Sequence, residues 1–248
     1  MKPLLTLILL ILFLAAHPQN IGGTTGMFNT PTAHMQPDGT LMLGAHYLHK
    51  SIGSYPYGGY GPYDAMAYFA TVSFLPFVEG QFRYTFMHAM RQHPQVDYFG
   101  DRMMSLRLQL INGNNKAWPS VVLGFEDFVS MAAFIIDASS PSYFASNYVV
   151  SSKKIRMGNV FADLSAGYGF NLSHALMGRS PARIQHDGLF GGMELSHRRF
   201  PGSGLMLEYD SRRFHAAMRL LLFKHLQLLA GFNADGDFSG GVTYKIQM

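Results

Sequence analysis

The chain contains no cysteine. That excludes a disulfide framework, thiolate zinc sites and a lipid attached to an N-terminal Cys. Charge is scarce as well: Asp, Glu, Lys and Arg make up 14% of the residues, against roughly 25% in an average soluble domain. A soluble fold so short of charge has difficulty covering its surface, whereas a barrel in lipid needs few charged positions. Past the N-terminus, no apolar run reaches the ~18 residues of a membrane-spanning helix. The net charge is +4 with no Lys/Arg block, which argues against nucleic acid as a partner. Tryptophan is down to a single residue, yet Phe 20 and Tyr 13 hold the aromatic share at 14%.

What is present begins with Lys2 and an apolar run from Leu4 to Ala16, ending in Leu-Ala-Ala. A basic start, an apolar run of about 13 residues and small residues at its end predict a secretory signal peptide over residues 1–16, cleaved near Ala16. A membrane anchor is the alternative, and the run is short for a span. Residues 17–39 hold Gly22-Gly23-Thr24-Thr25-Gly26, Pro31-Thr32-Ala33 and Pro37-Asp38-Gly39. These turn-formers have no periodicity, so the stretch reads as an irregular periplasmic leader or plug.

From residue 40 the chain alternates. Between Phe77 and Phe86, Glu79, Gln81, Arg83 and Thr85 fall on one side, and Val78, Gly80, Phe82, Tyr84 and Phe86 on the other. Such a strand has one polar and one apolar face. In a soluble sandwich the apolar face is interior; in an outer-membrane barrel it faces lipid and the polar face lines the lumen. Similar segments recur to Ile246, about 12 strands of roughly 9–11 residues, the length of a tilted membrane-spanning strand. Connections near 51–63, 88–100, 129–142 and 171–188 are long, and those near 75–76, 112–116, 154–158 and 199–203 are short. Long loops on one side and short turns on the other describe an outer-membrane barrel. The expectation is therefore an all-β, antiparallel transmembrane barrel over residues 40–248, with long loops extracellular and both termini periplasmic. Short helices fit only around Ala132–Ile136 and Ala175–Ile184. The terminal stretch Ser239–Ile246 resembles the strand signal read by the barrel assembly machinery, without a terminal Phe. That machinery and outer-membrane lipid are the expected partners.

Several strings taken in order carry a family resemblance. They are Gly26-Met27-Phe28-Asn29-Thr30-Pro31-Thr32-Ala33, Pro37-Asp38-Gly39-Thr40-Leu41, Phe82-Arg83-Tyr84-Thr85, and Asp101-Arg102 leading into Leu106-Arg107-Leu108. Next come Trp118-Pro119-Ser120 with Gly124-Phe125-Glu126-Asp127-Phe128, Tyr148 to Lys154, Phe190 to Glu194, and Glu208-Tyr209-Asp210-Ser211. In this order, from residue 26 to about 211, the chain resembles the YjbH-like family of Gram-negative outer-membrane proteins linked to exopolysaccharide production. The resemblance implies a barrel that assists in making or exporting an extracellular polysaccharide, with polysaccharide-export proteins as partners. It carries over no catalytic residue.

Given a barrel, alternation nominates Glu79, Arg83, Arg107, Glu126, Lys153, Asp163, Glu194, Glu208 and Arg219 as a lumen-facing polar ladder. Carboxylates and cations in a confined interior are costly unless paired. A structural network is the expected reading, and a polar path or saccharide-binding surface is the functional one. Tyr55, Tyr57, Tyr60 and Tyr63 form a Tyr/Gly loop that fits either sugar stacking or the membrane interface. His46/His49 and His88/His93 lack a Cys or carboxylate at liganding spacing, so no metal or other cofactor is expected. Ser196 and His197 are adjacent in a strand and point to opposite faces, which spoils them as a nucleophile–base pair. Ser173-His174 has no orienting acid nearby. The chain reads as a non-enzymatic accessory, with a structural subunit of a larger complex and a lipid- or glycan-modifying barrel as the competing classes.

Overall fold

The computed structural model describes residues 17–53, 64–88, 98–113, 117–129, 144–177 and 185–248. Its strands are β1 (Thr40–Leu48), β2 (Ala65–Ser73), β3 (Val78–His88), β4 (Tyr98–Ile111), β5 (Ser120–Glu126) and β6 (Ser146–Met157). They continue with β7 (Val160–Phe170), β8 (Gly188–His197), β9 (Phe200–Tyr209), β10 (Phe214–Leu222), β11 (Leu226–Asn233) and β12 (Phe238–Gln247). Each strand pairs antiparallel with its sequence neighbours, and β1 pairs with β12 from Thr40↔Gln247 to Tyr47↔Gly240, closing a 12-strand barrel. Closure leaves no edge strand and satisfies the backbone within the wall, which a sheet in hydrocarbon requires. This is the architecture of an outer-membrane barrel.

The predicted alternation orients the wall. Along β3, Glu79, Gln81, Arg83 and Thr85 are buried inside, while Phe82 and Phe86 stand exposed on the outer face. In the second half of β9, Leu205 and Leu207 are exposed, and Met206 and Glu208 are buried. A broad apolar band therefore covers the outside, as lipid contact demands.

Several predicted boundaries move. The strand expected from Trp118 to Phe128 is confined to Ser120–Glu126: Pro119 lacks the N–H a ladder needs, and Asp127 takes a φ of 53°. The turn expected through residues 199–203 is confined to Arg198–Arg199, and Phe200 to Gly204 belong to β9. The hairpin expected around Lys154–Gly158 turns only at Gly158–Asn159, because β6 continues to Met157. Short helices occupy Leu172–Met177 and, outside both expected stretches, Lys50–Gly53, and the stretch 132–136 lies outside the described residues.

The leader is inside. Nearly every residue from Pro18 to Gln36 is buried, held in a compact coil by the bridges Gln19↔Thr25 and Gly26↔Pro31. Its apolar side chains complete two clusters against the inner wall. Ile21, Met27 and Phe28 pack with Leu48, Met87, Met206 and Leu229, and Ala33 and Met35 pack with Val122, Tyr148, Val150 and Phe190. The lumen is thus partly apolar, unlike the polar face expected from the sequence. The apolar inner residues meet the leader rather than water. Gly23 marks the tightest approach: its φ is +95° and a Cβ there would come within 2.4 Å of Gln81 and 2.5 Å of Phe69, so only glycine fits.

Candidate lumen site

The inward polar residues form a cradle for the leader. Glu208, on β9, accepts hydrogen bonds from the backbone N–H groups of Phe28 (3.1 Å), Asn29 (2.5 Å) and Thr30 (3.2 Å), and from the Thr30 hydroxyl (2.8 Å). A coil with three successive N–H groups aimed at one point is an anion-binding concavity, and here the barrel's own carboxylate fills it. Beside it, Asn29 donates to Asp210 at 2.7 Å. Burial alone would raise the Asp210 carboxyl, but the His215 ring at 2.8 Å and the Arg213 N–H hold it well below the usual carboxylate range. It is a fixed negative charge at the β9–β10 turn.

On the facing wall, Glu79 of β3 and Arg107 of β4 are register partners and form a fully buried ion pair at 2.7 Å. Glu79 also accepts the Thr25 N–H at 2.9 Å and the Thr25 hydroxyl at 2.5 Å. Arg107 donates in turn to the carbonyls of Thr32 and His34. Arg83 donates to the Gly22 carbonyl at 3.2 Å and lies 4.4 Å over the Phe144 ring. Thr24 donates to Glu126 at 3.5 Å. The His34 ring sits 2.8 Å from Asp163 of β7, and Ala33 N–H donates to Ser152 of β6 at 2.7 Å. Glu194 and Arg219 pair with each other at 2.7 Å, with no hydrogen bond to the leader among the described residues.

The nominated residues therefore lie inside, with one exception. Lys153 pairs across the sheet with Leu164, and its neighbour Lys154 pairs with Asp163. Lys153 thus shares the outer face with Val149 and Leu164. The two adjacent lysines hid the phase of the strand. Tyr55, Tyr57, Tyr60 and Tyr63 lie outside the described residues. His46 is not a ligand: its Nδ1 donates to the Ile21 carbonyl at 2.9 Å and its Nε2 lies 3.1 Å from the Thr243 hydroxyl. Among the described residues no group of three or more His, Asp or Glu side chains is placed to hold a metal.

The nominated ladder, confined to charged residues, left out Gln81, Gln109, Gln227 and Lys245, which donate to the carbonyls of Gly22, Ala33, Gln19 and His17, although Gln81 already fell on the polar face. Each sits in the inward phase of its strand, so extending the alternation from charged to amide side chains would have found the glutamines. The order of the contacts also joins strings that are distant in sequence: Gly26–Ala33 rests on Glu208, and Thr32 rests on Arg107.

Replacing the carboxylate at this cradle tests its role. In Glu208→Gln the new amide N–H₂ faces N–H donors, and charge-assisted bonds worth about 1.5–3 kcal/mol are lost. Amide exchange at Phe28, Asn29 and Thr30 is expected to speed up by about ten- to a hundredfold, with strand amides unchanged. Unchanged protection at those three residues would mean that the coil holds itself.

A family model described as exopolysaccharide biosynthesis protein YbjH matches residues 19–247. No curated protein matches the chain.

Proposed function

Since the chain belongs to the YjbH family of exopolysaccharide biosynthesis proteins, we propose that it is a non-enzymatic outer-membrane barrel that assists polysaccharide production or secretion with its lumen plugged by residues 17–36. The observation that carries this is the leader bonded across the lumen, from Gln19–Gln227 at one wall to Glu79–Thr25 and Glu208–Thr30 at others. A barrel of about 12 strands has little free lumen once side chains fill it, and here a folded coil takes up that interior. Among the described residues, this coil lies across the route a polysaccharide chain would take through the barrel. The role is accordingly one of partnership: the barrel anchors or gates an export assembly instead of serving as its open conduit.

In this reading residues 1–16 direct export and are removed, the termini and short turns are periplasmic, and the longer loops face outward, as in other barrels of this kind. The last strand, Ser239–Ile246, is the segment offered to the assembly machinery. The inward carboxylates and cations are committed to the leader and to one another, which favours the structural role of the ladder over a saccharide-binding surface.

The test is genetic and chemical together. Deleting the gene in its own host is expected to remove most of the secreted polysaccharide, and the full-length chain is expected to restore it. Fractionation of the same cells is expected to find the chain in the outer membrane. Unchanged polysaccharide on deletion would sink the reading.

A further inference from the structure

We propose that the wall formed by β7, β8, β9 and β10, at the end of the barrel where the chain's strands begin and finish, binds one anionic phospholipid, with an acyl chain in a wall cavity and its phosphate on Arg198 and Arg199. The inference rests on the reading that the outer wall faces a membrane.

The cavity comes from an irregularity in the sheet. Between β8 and β9 the pairing passes from Leu195↔Leu205 to His197↔Phe200, so the step from 195 to 197 on one strand is matched by the step from 205 to 200 on the other. The surplus on β9 includes Gly202, Ser203 and Gly204, which have little or no side chain to fill the gap. The result is a cavity of about 360 Å³ whose wall includes Val160, Leu195, Leu205 and Met218, with His197 at one side and Arg219 behind. Leu195, Leu205 and Met218 are exposed on the outer face. Arg219 is not free to answer a ligand, because it is held by Glu194 and the Gly202 carbonyl. An apolar recess opening on the lipid side of a barrel takes hydrocarbon.

The charge around it supplies the second observation. The adjacent hairpins β6–β7, β8–β9 and β10–β11 bring Lys153, Lys154, Arg156, Arg198, Arg199 and Lys224 to this end. Among the described residues of the same rim the exposed acid is Asp38, beside Gln247 at the β1–β12 seam. The opposite end holds Asp64, Asp187, Asp210, Asp235 and Asp237, so the cationic arc is local. Arg198 and Arg199 are exposed and follow directly on His197, which lines the cavity, and none of the ion pairs among the described residues involves either side chain. Phe200 and Phe223 are 67% and 85% exposed beside them. Phe223 and Lys224 also hold φ of 50° and 66°, left-handed values that Gly and Asn take more readily, so this turn displays an aromatic and a cation at a strained position. Aromatics and cations together mark the headgroup level. A phospholipid with one net negative charge meets all three features: chain in the recess, phosphate on the arginines, headgroup level at the aromatics.

The experiment uses the refolded full chain in detergent micelles carrying equal phosphatidylglycerol and phosphatidylethanolamine with the same acyl chains, read by native mass spectrometry. One phosphatidylglycerol per barrel is expected to be retained on the order of tenfold better than phosphatidylethanolamine. Arg198→Gln with Arg199→Gln is expected to erase that preference, since each cation near anionic headgroups accounts for about a fivefold change. Leu205→Trp, which fills the recess from its lipid side, is expected to lower retention of both lipids. Equal retention in the parent, or no change in either variant, overturns the site. So does displacement by inorganic phosphate, which would show an anion site without a chain, and so does stronger retention of lipid A. Both variants alter outward or turn positions, and heat-modified gel mobility checks that they fold. Insertion into vesicles of the same two lipids is scored separately. Failure to insert defeats the membrane reading, whereas insertion without selectivity defeats the lipid site alone.

Discussion

Removal of residues 17–36 is expected to turn a barrel that passes no steady current into one that conducts in stable steps across a planar bilayer. The cut is placed before Pro37 because that residue belongs to the barrel lip: its carbonyl accepts from the Thr40 N–H and hydroxyl, while the nearby Gly39 donates its N–H to the Ser73 carbonyl and accepts from the Met248 N–H. What leaves is the coil whose Ile21, Met27, Phe28, Ala33 and Met35 fill the apolar parts of the lumen. What remains is a wall lined by Glu79, Arg83, Arg107, Asp163, Glu208 and Arg219. All of these but Arg219 lose their leader partners, and they recover hydrogen bonds only if water enters. A wet, charged lumen conducts ions. Full-length chain that conducts as freely as the truncated one would show that the coil leaves the lumen unaided. A silent truncated barrel that still folds would show that the wall's own side chains close the pore, and a scaffolding role would then need no gate.

The second large effect is expected at Arg107. Its side chain is fully buried, paired with Glu79 and donating to the Thr32 and His34 carbonyls. Arg107→Met keeps much of the volume but strands the Glu79 carboxylate among fewer donors and leaves two carbonyls without theirs. Breaking a buried pair from one side costs about 3–5 kcal/mol. The full-length barrel is expected to unfold at clearly lower urea, with protease cutting the leader earlier. Adding Glu79→Met should cost less than the sum of the two single changes, because the pair acts as a unit. The truncated barrel supplies the contrast. With no leader carbonyls to bind, Arg107→Met should be milder there. An equal loss in both backgrounds would assign the pair to the wall and not to the plug.

These two results bear on one question, whether the inner charges exist for the wall or for the coil. The geometry favours the coil. Among the described residues, none of Glu126, Asp163 and Glu208 is ion-paired with a lysine or arginine of the wall, and each meets the leader through Thr24, His34 or residues 28–30. Glu194 and Arg219 are the pair that belongs to the wall alone. They lie behind the β8–β9 irregularity, where the sheet needs support of its own.

The wall was legible from residues alone because strand orientation is a local property. With a period of two, Glu79, Arg83 and Glu208 could be assigned to one face without knowledge of any contact, and the four longest connections do fall at one end, although 210–213 and 234–237 at that end are short. Where that local signal weakens the reading slips. Lys153-Lys154 carry the same charge on opposite faces, so composition cannot choose between them. Pro201-Gly202 reads as a turn but is absorbed by an irregular strand pairing. The leader was beyond such reasoning altogether. It has no period, and its partners lie far along the chain, as Thr30 and Glu208 do at a separation of 178 residues. Only closure of β1 on β12 brings Glu79, Asp163, Glu208 and Gln227 around one interior. Each of their bonds to the coil depends on that enclosure, which no stretch of sequence contains by itself.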